Sequence, residues 1–263
     1  MKNKCTYNKL AYINRLNMRQ VTSLLILSAL FLLSCQKQKT EIVICATIHG
    51  VHKINPNYPY EDIYSLIDSY NPDIIGVEIR NEDIDSSILY LKNNYPFEMY
   101  DCINKYKSNK VICGFDWLGE DLENKSIPQN YWKDLSVLKK MERKLESDSL
   151  VSNKLSALDS IKLTIKEIFL NYSIQEMNNG RYDSICSIYY SQLSKLLDST
   201  QYKEIPELYK KRDQKIAFNI VNIIKDNPGK KLIFLMGADH RHYSIKKIKQ
   251  EFGDDIILNK VFE

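Results

Sequence analysis

The chain has 263 residues, with 37 lysines and arginines against 33 aspartates and glutamates, and its formal net charge is +4. Five of the positive charges lie in residues 1–34, so the remainder carries about −1 and offers no basic surface for nucleic acid. The six cysteines include no CxxC pair, which argues against a scaffold built on disulfides.

The amino-terminal segment has the pattern of an export signal. Val21–Ser34 is a run of 14 uncharged residues, shorter than the ~20 that a membrane-spanning helix needs, and only basic charges precede it. The run ends in Leu32-Leu33-Ser34-Cys35, which resembles the bacterial lipobox. We therefore predict a signal peptide over residues 1–34, lipidation of Cys35, and a tether over residues 35–40. The protein would be membrane-anchored in the cell envelope, facing the periplasm or the exterior.

The first part of the remaining chain alternates between strand and helix patterns. Continuous apolar runs predict strands buried on both faces, and a 3.6-residue spacing of apolar residues predicts the helices. In chain order we predict a strand at Glu41–Thr47, a helix ending at Asn71-Pro72, a strand at Asp73–Arg80, helices over residues 82–107 with a break at Pro96, and a strand at Lys110–Asp116.

The pattern changes at about residue 120. Residues 120–204 lack strand-like runs and predict a helical insertion, after which the alternation resumes with a helix at Pro206–Asp226, a strand at Lys231–Met236, a helix at Ser244–Phe252 and a strand near Ile256–Val261. The predicted fold class is α/β, with a mainly parallel central sheet flanked by helices over residues 41–263. Cys45 and Cys113 end two predicted strands and are candidate neighbours, although buried thiols are favoured over a disulfide.

All four histidines follow predicted strands. His49 and His52 lie in ATIHGVH, and His240 and His242 lie in GADHRH. Because the carboxyl ends of parallel strands share one edge of the sheet, we expect the two clusters to converge there. A histidine at a strand end is often only structural, so for His52 and His242 both roles stay open.

Three further polar residues point to the same edge. Glu78 closes the second predicted strand, where burial without a partner would cost several kcal/mol. Arg212 shares a helical face with apolar residues and therefore needs an anionic partner. Asp116 ends the third strand, where it is either a crevice residue or a helix cap or turn residue.

These residues resemble a known set of families. Gly237-Ala238-Asp239-His240 matches a G-x-x-H motif, and Ala46-Thr47-Ile48-His49 matches it with Ala in the glycine position. Together with Glu78 and Arg212, the motifs resemble the TraB/GumN and Tiki group, whose superfamily includes erythromycin esterase-like proteins and ChaN-type haem-binding lipoproteins. The resemblance covers about residues 41–119 and 205–261.

The resemblance implies a divalent-metal hydrolase acting on a peptide or ester bond. His49, Glu78 and His240 would hold manganese, cobalt or zinc and leave a position open for water. Arg212 and Glu78 would act in catalysis, with Arg212 stabilising the oxyanion or orienting the substrate. His52, Asp239 or His242 would fix the imidazole tautomers.

Two alternatives stay open. Histidine and tyrosine also ligate haem, so the chain could be a haem- or iron-binding lipoprotein without catalysis, although the pairing of Glu78 with Arg212 favours an enzyme. An erythromycin esterase-like hydrolase would instead need no metal, with a histidine as general base oriented by Glu78. Tyrosines 182, 189 and 190 in the insertion are interpreted as packing residues.

Overall fold

The computed structural model describes residues 38–262, and its centre is a sheet of five parallel strands. The strand order is β3-β2-β4-β1-β5. The strands are β1 (Thr40–Thr47), β2 (Ile74–Val77), β3 (Val111–Gly114), β4 (Lys231–Gly237) and β5 (Ile256–Leu258). The predicted α/β class with a parallel sheet is confirmed.

Helices make up most of the rest of the described chain. They are α1 (Tyr60–Tyr70), α2 (Ile88–Asn94), α3 (Phe97–Tyr106), α4 (Val137–Ser147), α5 (Ser149–Leu155), α6 (Asp159–Asn171), α7 (Ile174–Asn178), α8 (Arg181–Leu197), α9 (Glu204–Lys225) and α10 (Ala238–Phe252). Pro96 separates α2 from α3, as predicted, because proline lacks the N–H that a continuous helix requires. Across residues 38–262 no helix combines the length and apolar composition needed to cross a membrane.

Each face of the sheet is covered by its own helices. Along β1, Val43 and Cys45 pack in the core cluster that contains residues of α1 and α3, whereas Ile42 and Ile44 pack in the cluster that contains residues of α9 and α10. Alternate strand residues point to opposite faces, which is why strands buried on both sides are continuously apolar. The chain leaves β1 on one face and leaves β4 on the other.

The region between β3 and α9 contains helices and connecting loops but no strand, and it shares a small core with the start of α9. That core is formed by Val151, Leu158, Leu193, Leu197, Tyr202 and Ile205. Arg241, buried in α10, joins this region to the sheet: its Nε donates to the carbonyl of Ile44 at 3.0 Å, and its guanidinium also binds Asp183 and the carbonyl of Asn178.

Two sequence-based expectations differ from the structure. Helix α10 begins at Ala238 rather than Ser244, so the second histidine cluster lies in its first turns and not in a loop. Cys45 and Cys113 are free thiols on β1 and β3, which β4 and β2 separate, so they are not neighbours. The predicted signal peptide, the lipidated Cys35 and residues 35–37 of the tether lie outside the described residues.

Candidate functional site

The site lies where β1 and β4, adjacent strands, send the chain to opposite faces of the sheet. Such a reversal opens a crevice beyond the carboxyl ends of the strands. His49 follows β1 by two residues, and Gly237 is the last residue of β4. A Cβ placed on Gly237 would lie 2.7 Å from Nε2 of His49 and 3.3 Å from Oε2 of Glu78, so a glycine allows these side chains to approach.

His49 is the accessible imidazole of the site. It begins a short 3-10 turn (His49–Lys53) with φ of 50°, an unusual backbone conformation for a residue with a side chain. The hydroxyl of Tyr60 donates to its carbonyl at 3.2 Å. Its side chain is 41% exposed, and Nδ1 lies 2.7 Å from Oε1 of Glu98. Nε2 is therefore the nitrogen left to face the crevice.

Glu98 sits in the first turn of α3 and is fully buried. Its second oxygen, Oε2, has no partner within the described part of the chain, so His49 is the main source of charge compensation. Burial works against the charge of each group, but their mutual contact prevails: the pKa of Glu98 is lowered and that of His49 is raised above 6.5. The two side chains form a hydrogen-bonded, charge-linked pair.

Glu78 follows β2 directly and is buried between three donors. Oε2 accepts the backbone N–H of Gly237 at 2.6 Å, and Oε1 lies 2.8 Å from Nη2 of Arg212 and 3.3 Å from Nε2 of His240. Although burial opposes its charge, the cations of His240 and Arg212 hold the pKa of Glu78 far below its ordinary range. Glu78 is therefore a stable anion and a poor base.

His240 is the buried counterpart of His49. It occupies the first turn of α10, where Nδ1 contacts Oδ1 of Asp213 at 2.6 Å while Nε2 faces Glu78. Burial alone would favour the neutral ring, but Glu78 and Asp213 outweigh it and raise the pKa of His240 to about 10. His240 is an imidazolium at neutral pH.

Arg212 connects Glu78 with Asp116. Its Nε donates to Oδ1 of Asp116 at 3.0 Å, and its Nη2 reaches Oε1 of Glu78. Burial opposes the charge of Arg212, but the two carboxylates raise its pKa further. Asp116 also accepts the N–H of Trp117 at 2.7 Å, so it is both a crevice residue and a turn residue.

The arrangement suits a divalent metal in residue type but not in geometry. Two imidazoles and a carboxylate are common zinc and manganese ligands. Here both oxygens of Glu78 accept protein hydrogen bonds, and the two ring nitrogens of His240 already contact Glu78 and Asp213. Among residues 38–262, no three histidine, cysteine or acidic groups converge in a metal-binding arrangement.

Three predicted partners of the site lie elsewhere. His52 is buried, accepts the N–H of Ile48 on Nε2 at 3.0 Å, and places Nδ1 2.7 Å from the carbonyl of Tyr58. Asp239 accepts hydroxyl protons from Tyr182 and Tyr190 in α8 and does not bind an imidazole of the site. The first turn of α10 rotates Asp239 about 100° away from His240.

His242 is the third of these residues. Its Nδ1 lies 3.1 Å from the backbone carbonyl of Asp239. In the structure Nδ1 of His49 contacts Glu98 and Nδ1 of His240 contacts Asp213, so neither ring is held there by His52, Asp239 or His242.

The residues that contact Nδ1 of the two imidazoles, Glu98 and Asp213, were not predicted. Each left a signal in the sequence, because Glu98 shares a helical face with Cys102 and Tyr106, and Asp213 shares one with apolar residues of α9 such as Ile216. An acid on an apolar helical face requires a buried partner. The sequence does not say which partner it meets.

A scan against protein-family models, a search of curated proteins and a search of solved structures each returned no match. The resemblance to the TraB/GumN and Tiki group stays a prediction.

Proposed function

We propose that the chain is an acyl hydrolase that cleaves an ester or peptide bond at the carboxyl edge of its sheet and is tethered to a membrane through lipidated Cys35. The observation that carries the proposal is the contrast between two imidazoles at one crevice. His49 is accessible with Nε2 free, whereas His240 is buried between Glu78 and Asp213, which contact its two ring nitrogens. A base beside fixed positive charge is what acyl hydrolysis requires.

In this proposal His49 is the general base. Its Nε2 takes a proton from a water molecule, and the hydroxide oxygen forms a bond to the carbonyl carbon of the substrate. Glu98 accepts the hydrogen on Nδ1, which fixes the tautomer and stabilises the imidazolium that forms. When the tetrahedral intermediate collapses, the acyl bond breaks and His49 returns the proton to the leaving oxygen or nitrogen.

His240 and Arg212 supply the positive charge. Both are held by buried carboxylates, so they need no reorganisation when charge develops on the carbonyl oxygen. Glu78 does not exchange protons in this scheme, because its pKa lies far below neutral pH. Its role is to position Arg212 and His240, and its bond to the N–H of Gly237 fixes it in turn.

A metal-dependent hydrolase is the second candidate. One observation favours it: each imidazole binds a carboxylate through Nδ1, a contact that metal-ligating histidines commonly make. The metal-free scheme ranks first because Glu78 already contacts Gly237, Arg212 and His240, so a metal would have to replace some of these contacts.

The test uses the full-length chain purified in detergent without chelator. We would measure manganese, cobalt, zinc and haem content, and hydrolysis of 4-nitrophenyl esters and fluorogenic peptides with and without EDTA. The variants are His49→Ala and the matched control His242→Ala, which removes a histidine outside the site. We expect EDTA to have no effect, His49→Ala to lose about 10²–10⁴-fold in kcat/KM, and His242→Ala to retain activity.

Two other outcomes would replace the proposal with a different function. Activity that EDTA abolishes, with about one equivalent of metal that a His49→Ala, His240→Ala variant loses, would replace the proposal with the metal-dependent enzyme. A Soret band with no hydrolysis would replace it with the haem-binding lipoprotein.

A further inference from the structure

A polar recess opens next to the site, on the side of Asp116. It has a volume of about 400 Å³, within the range of small-molecule sites. Asp116 belongs to both the recess and the site, because it lines the recess and accepts a hydrogen bond from the guanidinium of Arg212. Other lining residues are Asn81, Trp117, Asn124, Asn219 and Asn222. A molecule in the recess would therefore lie beside Asp116, which contacts Arg212 of the proposed reaction centre.

The charged groups of the recess are already paired. Arg80 contacts Glu82 at 3.3 Å and also binds Asp83 and two backbone carbonyls. Glu123 accepts the indole N–H of Trp117 at 2.7 Å, and Asp116 is held by Arg212. An anionic ligand would therefore find no unpaired cation among the lining residues and would lose hydration without compensation.

Cations also lie near the aromatic wall. The ammonium groups of Lys211 and Lys215 are 5.5 and 5.6 Å from the centre of the Trp117 ring, and Lys211 is paired with Glu120 at 2.9 Å. These two lysines already make cation–π contacts with the indole ring of Trp117. A cationic ligand would be repelled at this position.

The unused hydrogen-bonding groups are neutral amides. Within residues 38–262 the side chains of Asn81 and Asn222 form no hydrogen bond with another protein group, and Asn219 uses only its Nδ2, which donates to the carbonyl of Phe115 at 3.0 Å. Each amide both donates and accepts. Neutral hydroxyl groups match that capacity, and the half-buried indole of Trp117 adds apolar surface to the lining of the recess.

We propose that this recess binds a neutral sugar unit of the substrate, so that the enzyme removes an acyl group from, or cleaves an acyl linkage to, an uncharged saccharide. The cleavage of an acyl group from the sugar rests on the proposed hydrolase function. Binding of the sugar requires only the recess. Asp116 and Arg212 would then separate the sugar from the scissile carbonyl by a fixed distance, which determines the position that is cleaved.

Sugar binding is measured through Trp117. The chain has two tryptophans, so a Trp132→Phe background leaves Trp117 as the only indole. The full-length protein, in a detergent without a sugar headgroup, is titrated with three related ligands: N-acetylglucosamine, glucosamine and glucose 6-phosphate. We expect saturable fluorescence changes with N-acetylglucosamine and a Kd at least about tenfold higher for the two charged sugars.

Variants locate the effect. Asn222→Leu should raise the Kd for N-acetylglucosamine by about tenfold, whereas Asn153→Leu, an exposed position in α5, should not change it. No saturable change with the neutral sugar would overturn the inference. Tighter binding of a charged sugar, or of a neutral blocked dipeptide, would also overturn it.

The same titration in His49→Ala separates the two proposals. Sugar binding there, together with an absence of acyl hydrolysis by the unmutated chain, would remove only the hydrolase. Hydrolysis without sugar binding would remove only this inference.

Discussion

The two histidine–carboxylate pairs of the crevice share the same chemistry but differ in their surroundings. In the first, His49 is 41% exposed and meets Glu98 alone through Nδ1. In the second, His240 is 10% exposed and lies between Asp213 and Glu78, with Arg212 bound to the same oxygen of Glu78. One carboxylate raises the pKa of a half-exposed ring, and two carboxylates hold a buried ring fully protonated.

The difference indicates that counter-charge, more than burial, sets the role of each imidazole. Burial lowers the pKa of both rings and would leave both neutral. The raised pKa of His49 depends on contact with one carboxylate, Glu98. The pKa of His240 is raised further, to about 10, because loss of its proton would leave Glu78 and Asp213 with less charge compensation.

The largest expected effect comes from Glu78→Gln, which removes the anion shared by His240 and Arg212. An uncompensated buried charge costs about 3–5 kcal/mol, and loss of the positioned cations should reduce kcat/KM by about 10³-fold. Chemical denaturation and NMR titration of the histidine rings measure both, and the pKa of His240 should fall from about 10. Glu61→Gln, an acid near the start of α1, is the control. A His240 pKa that does not move would break the comparison between the pairs.

Glu98→Gln tests the other pair. It removes the group that raises the pKa of His49 and leaves burial, which lowers it. The acid limb of the kcat/KM profile should therefore move from above pH 6.5 to a lower pH, with a loss in kcat of about 100-fold from the unsupported tautomer. The pH profile distinguishes this positioning role from a purely structural one. A loss of activity with an unshifted acid limb would show that His49 is not the base.

Gly237→Ala tests how closely the crevice is packed against His49. Gly237 has φ of −53°, which alanine adopts freely, so only space is at issue. The new Cβ would displace the His49 ring, whose outer part is free to move. We expect about a tenfold loss in kcat with less than about 1 kcal/mol change in the free energy of unfolding. Gly50→Ala, where a Cβ meets nothing within 4 Å, should leave both unchanged.

The buried pair also gives the protein a pH window of stability. The folded pKa of His240 lies above the unfolded value of 6.5, so its contribution is complete below about pH 6.5 and is lost as pH rises through about 10. The folded pKa of Glu78 lies below 4.5, so its contribution is lost only as pH falls below that value. Asp213→Asn should weaken the alkaline decline, measured by urea unfolding from pH 6 to 10. An identical decline in the variant would count against the assigned charge state of His240.

The last expected effect is on stability alone and concerns the support of the first turn of α10. The hydroxyl of Tyr190 donates to Oδ2 of Asp239 at 2.9 Å, and a hydrogen bond to a charged acceptor contributes about 1.5–3 kcal/mol. Tyr190→Phe should therefore reduce the free energy of unfolding by about this amount, with little change in the pKa of His240. Tyr189→Phe is the matched control, because that ring packs edge-to-face against Tyr190 without sharing its bond to Asp239. Equal effects of the two variants would assign the stabilisation to packing.

The sequence predicted the strands well because apolar runs such as IVIC and LIFL require burial on both faces. It misplaced the start of α10 because the residues of its first turns are polar, and their burial depends on partners such as Asp213 and Asp183 that lie far away in the chain. For the same reason, strand ends and a helical face were enough to select His49, Glu78, Arg212 and His240. The carboxylates that contact the two imidazoles, Glu98 and Asp213, could not be selected in this way. Local periodicity identifies which face is buried, and the tertiary fold decides which groups meet.

The position of β1 in the sheet has a consequence for how the polypeptide acquires its structure. Both neighbours of β1, β4 and β5, come from residues 231–258, so β1 has no strand to pair with until nearly the whole chain is synthesised. Before that point only β2 and β3 can associate, and pairing of β1 must wait for closure of a loop of about 190 residues, which slows folding. A chain moved across a membrane from its amino terminus would therefore keep one long apolar strand exposed through most of its passage, and shielding by a chaperone would matter most for that segment.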